Sequence, residues 1–245
     1  MLAEMLARSG KVLLGGVPPD GRKYWAARFW DRAGAEQHPL LRDHFLNQKD
    51  TIAGYLEKYG QETKRVLEFA CGTGEFTGLA ATRTSAKQIT ALDISAQGLE
   101  IVRGRVQHDD LQLVLGDFWA DNDLGSADLV MCVDAIHHLG DVRQVLTRMK
   151  TFIEPGGLFV GNLWTGDNFH DFERKRYGTL NHLGRTAAFF STAVVIRASG
   201  GRMKTGAYRT QLLTSVEGTR ILEDVFGEVL EIDVHPHFMS FVAKP

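Results

Sequence analysis

The sequence predicts an α/β fold: a mostly parallel sheet of seven strands, flanked by helices and finished by an antiparallel C-terminal hairpin. Three observations predict it. Between residues 64 and 163, five apolar strand-like runs alternate with longer amphipathic stretches, the pattern of parallel strands joined by crossover helices. The tail "GEVLEIDVHPHFMSFVAKP" instead reads as two strands joined around His235, Pro236 and His237. One apolar run, in "RVLEFACGTGEF" at 65–76, passes straight into a glycine-rich turn and then helical text.

Residues 1–60 hold a proline-glycine break, "GGVPPDG", and then aromatic-rich helical text; they are expected to form an N-terminal helical cap. The five runs "RVLEFA", "QITALDI", "LQLVLG", "ADLVMCVDA" and "GLFVGNLW" place the parallel core at 61–164. The stretch 165–213 is too long for a simple connection and carries the basic cluster "ERKRY", which suggests an insertion roofing the ends of the strands. In 214–245, Thr214 stands three residues before Glu217 at capping-box spacing, so a helix precedes the hairpin and completes the core.

Composition narrows the function. The chain has 245 residues, 44% hydrophobic and 24% charged, with a net charge of -2, so no basic excess points to nucleic acid and none is expected as a partner. Acidic Glu4 and broken apolar runs near the N-terminus suit neither a signal peptide nor a membrane span, which suggests a cytoplasmic protein. Cys71 and Cys132 are too few for a disulfide framework or zinc cage and read as reduced buried thiols.

A strand, glycine turn and helix present bare amides to a ligand. A phosphate-wrapping loop needs Lys and then Ser or Thr after its second glycine, whereas Gly74 is followed by Glu75 and Phe76. A dinucleotide turn needs a third small residue where Thr77 stands, and Glu68 and Glu75 are expected to repel a diphosphate. A nucleoside without phosphate is what remains.

"VLEFACGTGEF" resembles the first motif of the class I S-adenosylmethionine-dependent methyltransferases, in Glu68, Gly72 and Gly74, and departs from it at Ala70. The resemblance continues through "ALDIS", "GDF", "ADLVMCVDAIHHL" and "FIEPGGLFVGNLW", covering about 64–164. It implies a Rossmann-like fold and the cofactor S-adenosylmethionine, leaving S-adenosylhomocysteine as product. It also implies cofactor contacts from Glu68, Phe69, Ala70, Gly72, Gly74, Asp93, Ile94, Asp117, Phe118 and Val133. Asp93 would accept from the ribose hydroxyls, though an N-cap role is open to it as well. Asp117 would accept from the adenine amine and Phe118 cover the ring.

"FWDRAGAEQ" resembles, more weakly, the entry helix of small-molecule members of this family. Tyr24, Trp25, Phe29 and Trp30 are candidates for a lid, with Tyr24 preferred, and core packing is the competing reading. Such a lid serves equally as an interface, which keeps a homodimer open.

His137 and His138 are candidate bases at the turn after the fourth strand, with Asp134 to orient them or to bind the cofactor's ammonium; one of the pair is otherwise expected to pack under the turn. The paired histidine resembles sugar and natural-product O-methyltransferases, some of which add an acid where Asn162 stands here. Trp164, Phe169, Phe172 and Tyr177 offer apolar walls for an acceptor. Arg174, Lys175 and Arg176 offer a positive rim for a carboxylate or phosphate, with Arg185 and Arg197 as further candidates. No metal is expected, and His235 and His237 read as a solvent-facing hairpin. The reading that follows is methyl transfer to oxygen or nitrogen of a small molecule, in secondary (antibiotic-like) metabolism. The alternatives are methylation of tRNA or protein, or a non-catalytic cofactor-binding scaffold.

Overall fold

The computed structural model describes residues 2–14, 21–29, 37, 39–200 and 212–245. Seven strands form one sheet: β1 (Arg65–Phe69), β2 (Gln88–Asp93), β3 (Leu111–Leu115), β4 (Ala127–Cys132), β5 (Ile153–Trp164), β6 (Glu228–Val234) and β7 (Phe238–Lys244), in the order β3-β2-β1-β4-β5-β7-β6. The first five run parallel, and β7 pairs antiparallel with both β5 and β6. The strand order reverses beside β1, between β2 and β4, so a crevice opens at the carboxyl ends of these strands, which is where ligands bind in sheets of this kind.

Alternate residues along the strands feed two cores, as the twofold side-chain period requires. Val66, Leu129 and Val160 pack beneath α3 (Arg42–Tyr59) and α4 (Glu75–Arg83), where Ile52, Leu56, Phe76 and Ala80 bury. Leu67, Val130 and Phe159 pack on the opposite face against α7 (Val142–Lys150) and α10 (Ser215–Val225), through Leu146, Met149, Leu222 and Phe226. Helix α5 (Ala96–Arg105) closes the β2–β3 end through Leu99 and Val102.

The caps follow from sequence. Thr214 and Glu217 form the expected capping box, and Asp141 accepts from the Gln144 amide at the start of α7. At α5 the cap is Ser95, which accepts from the Gly98 amide; Asp93 is thereby released from the capping role the sequence left open to it.

The N-terminal segment does not act as one cap. Helix α3 belongs to the sheet core, whereas α1 (Leu2–Leu14) packs along α9 (Thr179–Ala198), beside α8 (Phe169–Tyr177). Gly10 makes the close approach, since a Cβ there would lie 2.6 Å from the Phe189 ring. Glu4 pairs with Arg174, and Lys11 donates to the Leu212 carbonyl at 3.1 Å. The first helix and the insertion are thus one helical layer. Among the described residues, no helix is long and apolar enough to cross a membrane.

Candidate active site

The glycine turn after β1 is built by three residues in left-handed conformation: Ala70 (φ 54°), Gly72 (φ 56°) and Gly74 (φ 79°). They do different work. A Cβ on Gly74 would stand 3.0 Å from both methyls of Val102 and 3.2 Å from Val106, so this glycine lets α4 close on α5. A Cβ on Gly72 would meet nothing within 4 Å, so the turn presents open space above the strand ends. Gly98 is a further member that sequence reasoning did not name: a Cβ there would lie 2.7 Å from the Gly72 carbonyl, so its bareness seats α5 under the turn.

Asp93 ends β2 and is buried. One carboxylate oxygen accepts from the Gly72 amide and the other from the Ser95 amide, each at 2.8 Å. This ties the two strand ends together and leaves each oxygen further lone-pair capacity for a pair of vicinal hydroxyls. Burial raises its pKa, opposed by these amide bonds.

Glu68 is fully enclosed in β1, accepts from the Thr77 hydroxyl, and is pushed up to about 8 by burial. Glu75 pairs with Lys49 and with Arg105. The expected repulsion of phosphate by these two acids therefore has little force, since one favours its neutral form and the other is compensated. The absent Lys and third glycine still stand against phosphate.

At the end of β3, Asp117 accepts from the Trp119 amide at 2.9 Å and lies 3.6 Å from the Arg22 guanidinium. Phe118 does not lie open for a ring to stack on. It is buried edge-on against Phe69, 5.2 Å between centroids, with Arg148 over its ring, and Phe69 is wholly in the core. Trp119, which sequence reasoning passed over, is the more exposed aromatic. Its indole donates to the Leu139 carbonyl at 2.7 Å, joining β3 to the histidine turn.

That turn begins at Asp134, a non-glycine residue at φ 59°. Its amide donates to Asn162 Oδ1 (2.6 Å), and its Oδ1 accepts from Gln48 Nε2 (2.6 Å) and Asn162 Nδ2 (3.3 Å). Asp134, expected to orient the histidines or to bind the cofactor's ammonium, is thus engaged with Asn162 and Gln48.

His137 and His138 follow on α6 (Ile136–Leu139), their rings 4.0 Å apart. His137 is buried, 6.4 Å from the Trp164 ring, with an Nδ1 that has no hydrogen-bond partner. Burial holds it well below the ordinary imidazole range and brings His138 down to about 3. Both are neutral at physiological pH and are weak bases.

Over this turn lies α2 (Arg22–Trp25). Trp25 packs on His138 at 5.3 Å, whereas Tyr24 is exposed with Arg28 over its ring at 4.3 Å. Trp25 rather than Tyr24 thus faces the histidine turn, because residues adjacent on a helix point different ways. Trp30 and most of "FWDRAGAEQ" lie outside the described residues.

The core matches the family described as a methyltransferase domain, over residues 66–157. Residues 66–157 are thus similar to a methyltransferase domain, the kind of protein the glycine turn and its neighbours resemble. The ubiquinone biosynthesis O-methyltransferase of Idiomarina loihiensis is 29% identical over 138 residues, 54% of either chain. The chain thus spans about half the length of the curated relatives it matches. An uncharacterized methyltransferase of Schizosaccharomyces pombe, C1347.09, is 26% identical over 211 residues, covering 76% of this chain and 74% of its own. The N-methyltransferase NodS of Bradyrhizobium japonicum WM9, solved with S-adenosylhomocysteine, shares the fold at TM-score 0.58 and 14% identity. That likeness covers 91% of this chain and 95% of NodS.

Around this core the roof differs from expectation. Arg174 is tied to Glu4 of the first helix, and Lys175 pairs with Asp171 one turn back on its own helix. Tyr177 is flanked by the guanidinium groups of Arg185 at 4.2 Å and Arg176 at 4.9 Å, not presented as a bare wall. Phe172 is core, packed near Phe45 and Phe238 with half-buried Trp164, while Phe169 is half-buried. His237 is buried between His44, 4.7 Å away, and Phe172, 5.2 Å away, so the hairpin is not solvent-facing there. The buried Phe238 beside it draws the turn inward. No cluster of His, Cys, Asp or Glu able to hold a metal occurs among the described residues.

The residues present fit a phosphate-free nucleoside: open space over Gly72, spare acceptor capacity on Asp93 and an acid at Asp117. Of the other residues the sequence named for the cofactor, Ile94 is half-buried and Val133 buried.

Proposed function

We propose that the chain transfers a methyl group from S-adenosylmethionine to an oxygen or nitrogen of a small molecule. The observation that supports this most directly is the pairing of Asp93 with the open Gly72 turn on adjacent strands. When bound, the cofactor supplies an electrophilic sulfonium methyl, so positioning and exclusion of water are what the protein must add.

In this reading Asp93 takes the ribose hydroxyls and Asp117 takes the adenine amine in place of Arg22. Trp25 covers the turn and keeps water out. His138, with His137 behind it, orients the acceptor and receives its proton. Imidazoles this weak take a proton only as the acceptor's acidity rises with the arriving methyl, not beforehand. That suits nitrogen and oxygen acceptors alike, in keeping with relatives named as O- and N-methyltransferases. A net charge of -2 supports a small acceptor over a polyanion, and we place the reaction in the cytoplasm, within secondary metabolism.

The test is calorimetric titration with S-adenosylhomocysteine, then turnover of labelled S-adenosylmethionine with panels of phenols, sugars and amines. Saturable one-site binding, abolished by Asp93→Ala, is the expected result. Absence of heat with the intact protein would overturn the proposal. With an acceptor in hand, a His137→Gln/His138→Gln double variant is expected to lose turnover while keeping its affinity for S-adenosylhomocysteine.

A further inference from the structure

Helix α3 is a helix of the sheet core, yet it sends one polar side chain, Gln48, to the ligand end of the molecule. Gln48 is fully buried and donates from Nε2 to Asp134 Oδ1 at 2.6 Å across 86 residues of sequence. Asn162, also fully buried in β5, approaches the same residue twice, accepting its amide proton and donating to the same Oδ1. Two side-chain amides from two different elements thus hold one carboxylate.

What they hold is a backbone conformation that L-residues avoid. A non-glycine residue in the left-handed region carries a cost of roughly 1–2 kcal/mol and persists only where its surroundings fix it. At Asp134 (φ 59°) that conformation turns the chain from β4 into α6, and so sets where His137 and His138 stand. With an apolar residue at 48, the Asp134 carboxylate loses one of the buried amides that hold it.

We infer that Gln48 is a positioning residue: it fixes Asp134, and through it the histidine turn, for a cationic cofactor and the acceptor beside it. The turn-fixing role stands on this geometry alone, and the cofactor readout rests on the function proposed above.

The experiment compares the intact protein with Gln48→Met, which keeps the volume and loses the donor, and Gln48→Glu, which keeps the length. Hydrogen exchange of a peptide spanning 133–140 is read first, without ligand, against a strand peptide spanning 66–69. Gln48→Met is expected to speed exchange in the turn about tenfold and leave the strand unchanged, the equivalent of one hydrogen bond to a charged group.

Calorimetry with S-adenosylhomocysteine is read second, from pH 5.5 to 8. Gln48→Met is expected to bind roughly tenfold more weakly at every pH. Gln48→Glu is expected to bind nearly as the parent at pH 5.5, where a protonated carboxyl still donates to Asp134. It should weaken progressively as that carboxyl ionises against a like charge. The other titratable groups around the contact are His44 and the Lys49–Glu75 pair on the α3 side and His137 and His138 on α6; all remain in every variant, so their contribution cancels in the comparison.

Unchanged exchange in the 133–140 peptide of Gln48→Met would overturn the positioning role, as would a Gln48→Glu variant whose affinity follows pH as the parent's does. If the parent itself gives no heat with S-adenosylhomocysteine, the proposed function fails while the exchange result still decides the role of Gln48.

Discussion

Gly72 and Gly74 lie two residues apart in one turn, both at positive φ, and adding one methyl group to each is expected to have opposite consequences. Left-handed backbone costs an alanine roughly 1–2 kcal/mol, and replacing glycine returns about 0.4–1 kcal/mol through the stiffer unfolded chain. For Gly72→Ala nothing else enters, because no atom lies within 4 Å of the new Cβ, so the net loss is about 1 kcal/mol. That is a fall of about 3 °C in Tm for a chain of this size. For Gly74→Ala the methyl is driven onto Val102 and Val106, and overpacking adds about 1–3 kcal/mol, for a fall of roughly 6–12 °C.

Binding should rank the other way. The proposed function puts the nucleoside in the open space over Gly72, so Gly72→Ala is expected to weaken S-adenosylhomocysteine at least about tenfold, while Gly74→Ala stays within about threefold of the parent. Thermal melts without ligand and calorimetric titrations at a temperature where all three proteins are folded give both rankings. A Gly72→Ala protein that binds as tightly as the parent would refute the placement of the ligand. Equal melting temperatures for the two variants would refute the packing role of Gly74.

Glu68, raised by burial from 4.5 to about 8, binds a proton in the folded chain that the unfolded chain has released, so stability is lost as pH rises through that window. Gln at this position keeps the acceptor for Thr77 and should remove up to about 5 kcal/mol of that fall; urea midpoints at pH 5, 6.5 and 8 measure it. His138 has the opposite sign. Held at about 3, it stays neutral while the unfolded chain protonates, so stability is lost as pH falls below 6.5; His138→Gln should flatten that acid limb, read from urea midpoints at pH 4, 5 and 6.5. Ala70→Gly relieves a left-handed alanine and pays only glycine's unfolded-state entropy, so it should leave stability unchanged or raise it by up to about 1 kcal/mol, in the same melts.

The parallel core was readable because its signals are local. Apolar runs of strand length, the glycines at 72 and 74 and the capping box at Thr214 each state their role within a few residues. Asp93 and Asp117 could be placed at strand ends for the same reason. Gln48 could not, since a polar residue in the middle of a helix reads as solvated and its partner lies 86 positions away. Phe118 misled because the motif gives its position but not its facing, and the core around Phe69 claims the ring. The arginines of the insertion read as a rim for ligands because Glu4, which neutralises Arg174, lies 170 residues earlier in the chain. Trp25 and Tyr24 differ only in helical phase, which four residues of helix between breaks cannot define in advance.

The packing of the first helix along α9 has a practical corollary for anyone who would rebuild this protein by exchanging its roof. A chimaera that takes residues 165–213 from elsewhere leaves Glu4, Gly10 and Lys11 shaped for a neighbour that is gone, while a transplanted insertion arrives without its own brace. The unit to be swapped is discontinuous: residues 2–14 must travel with it.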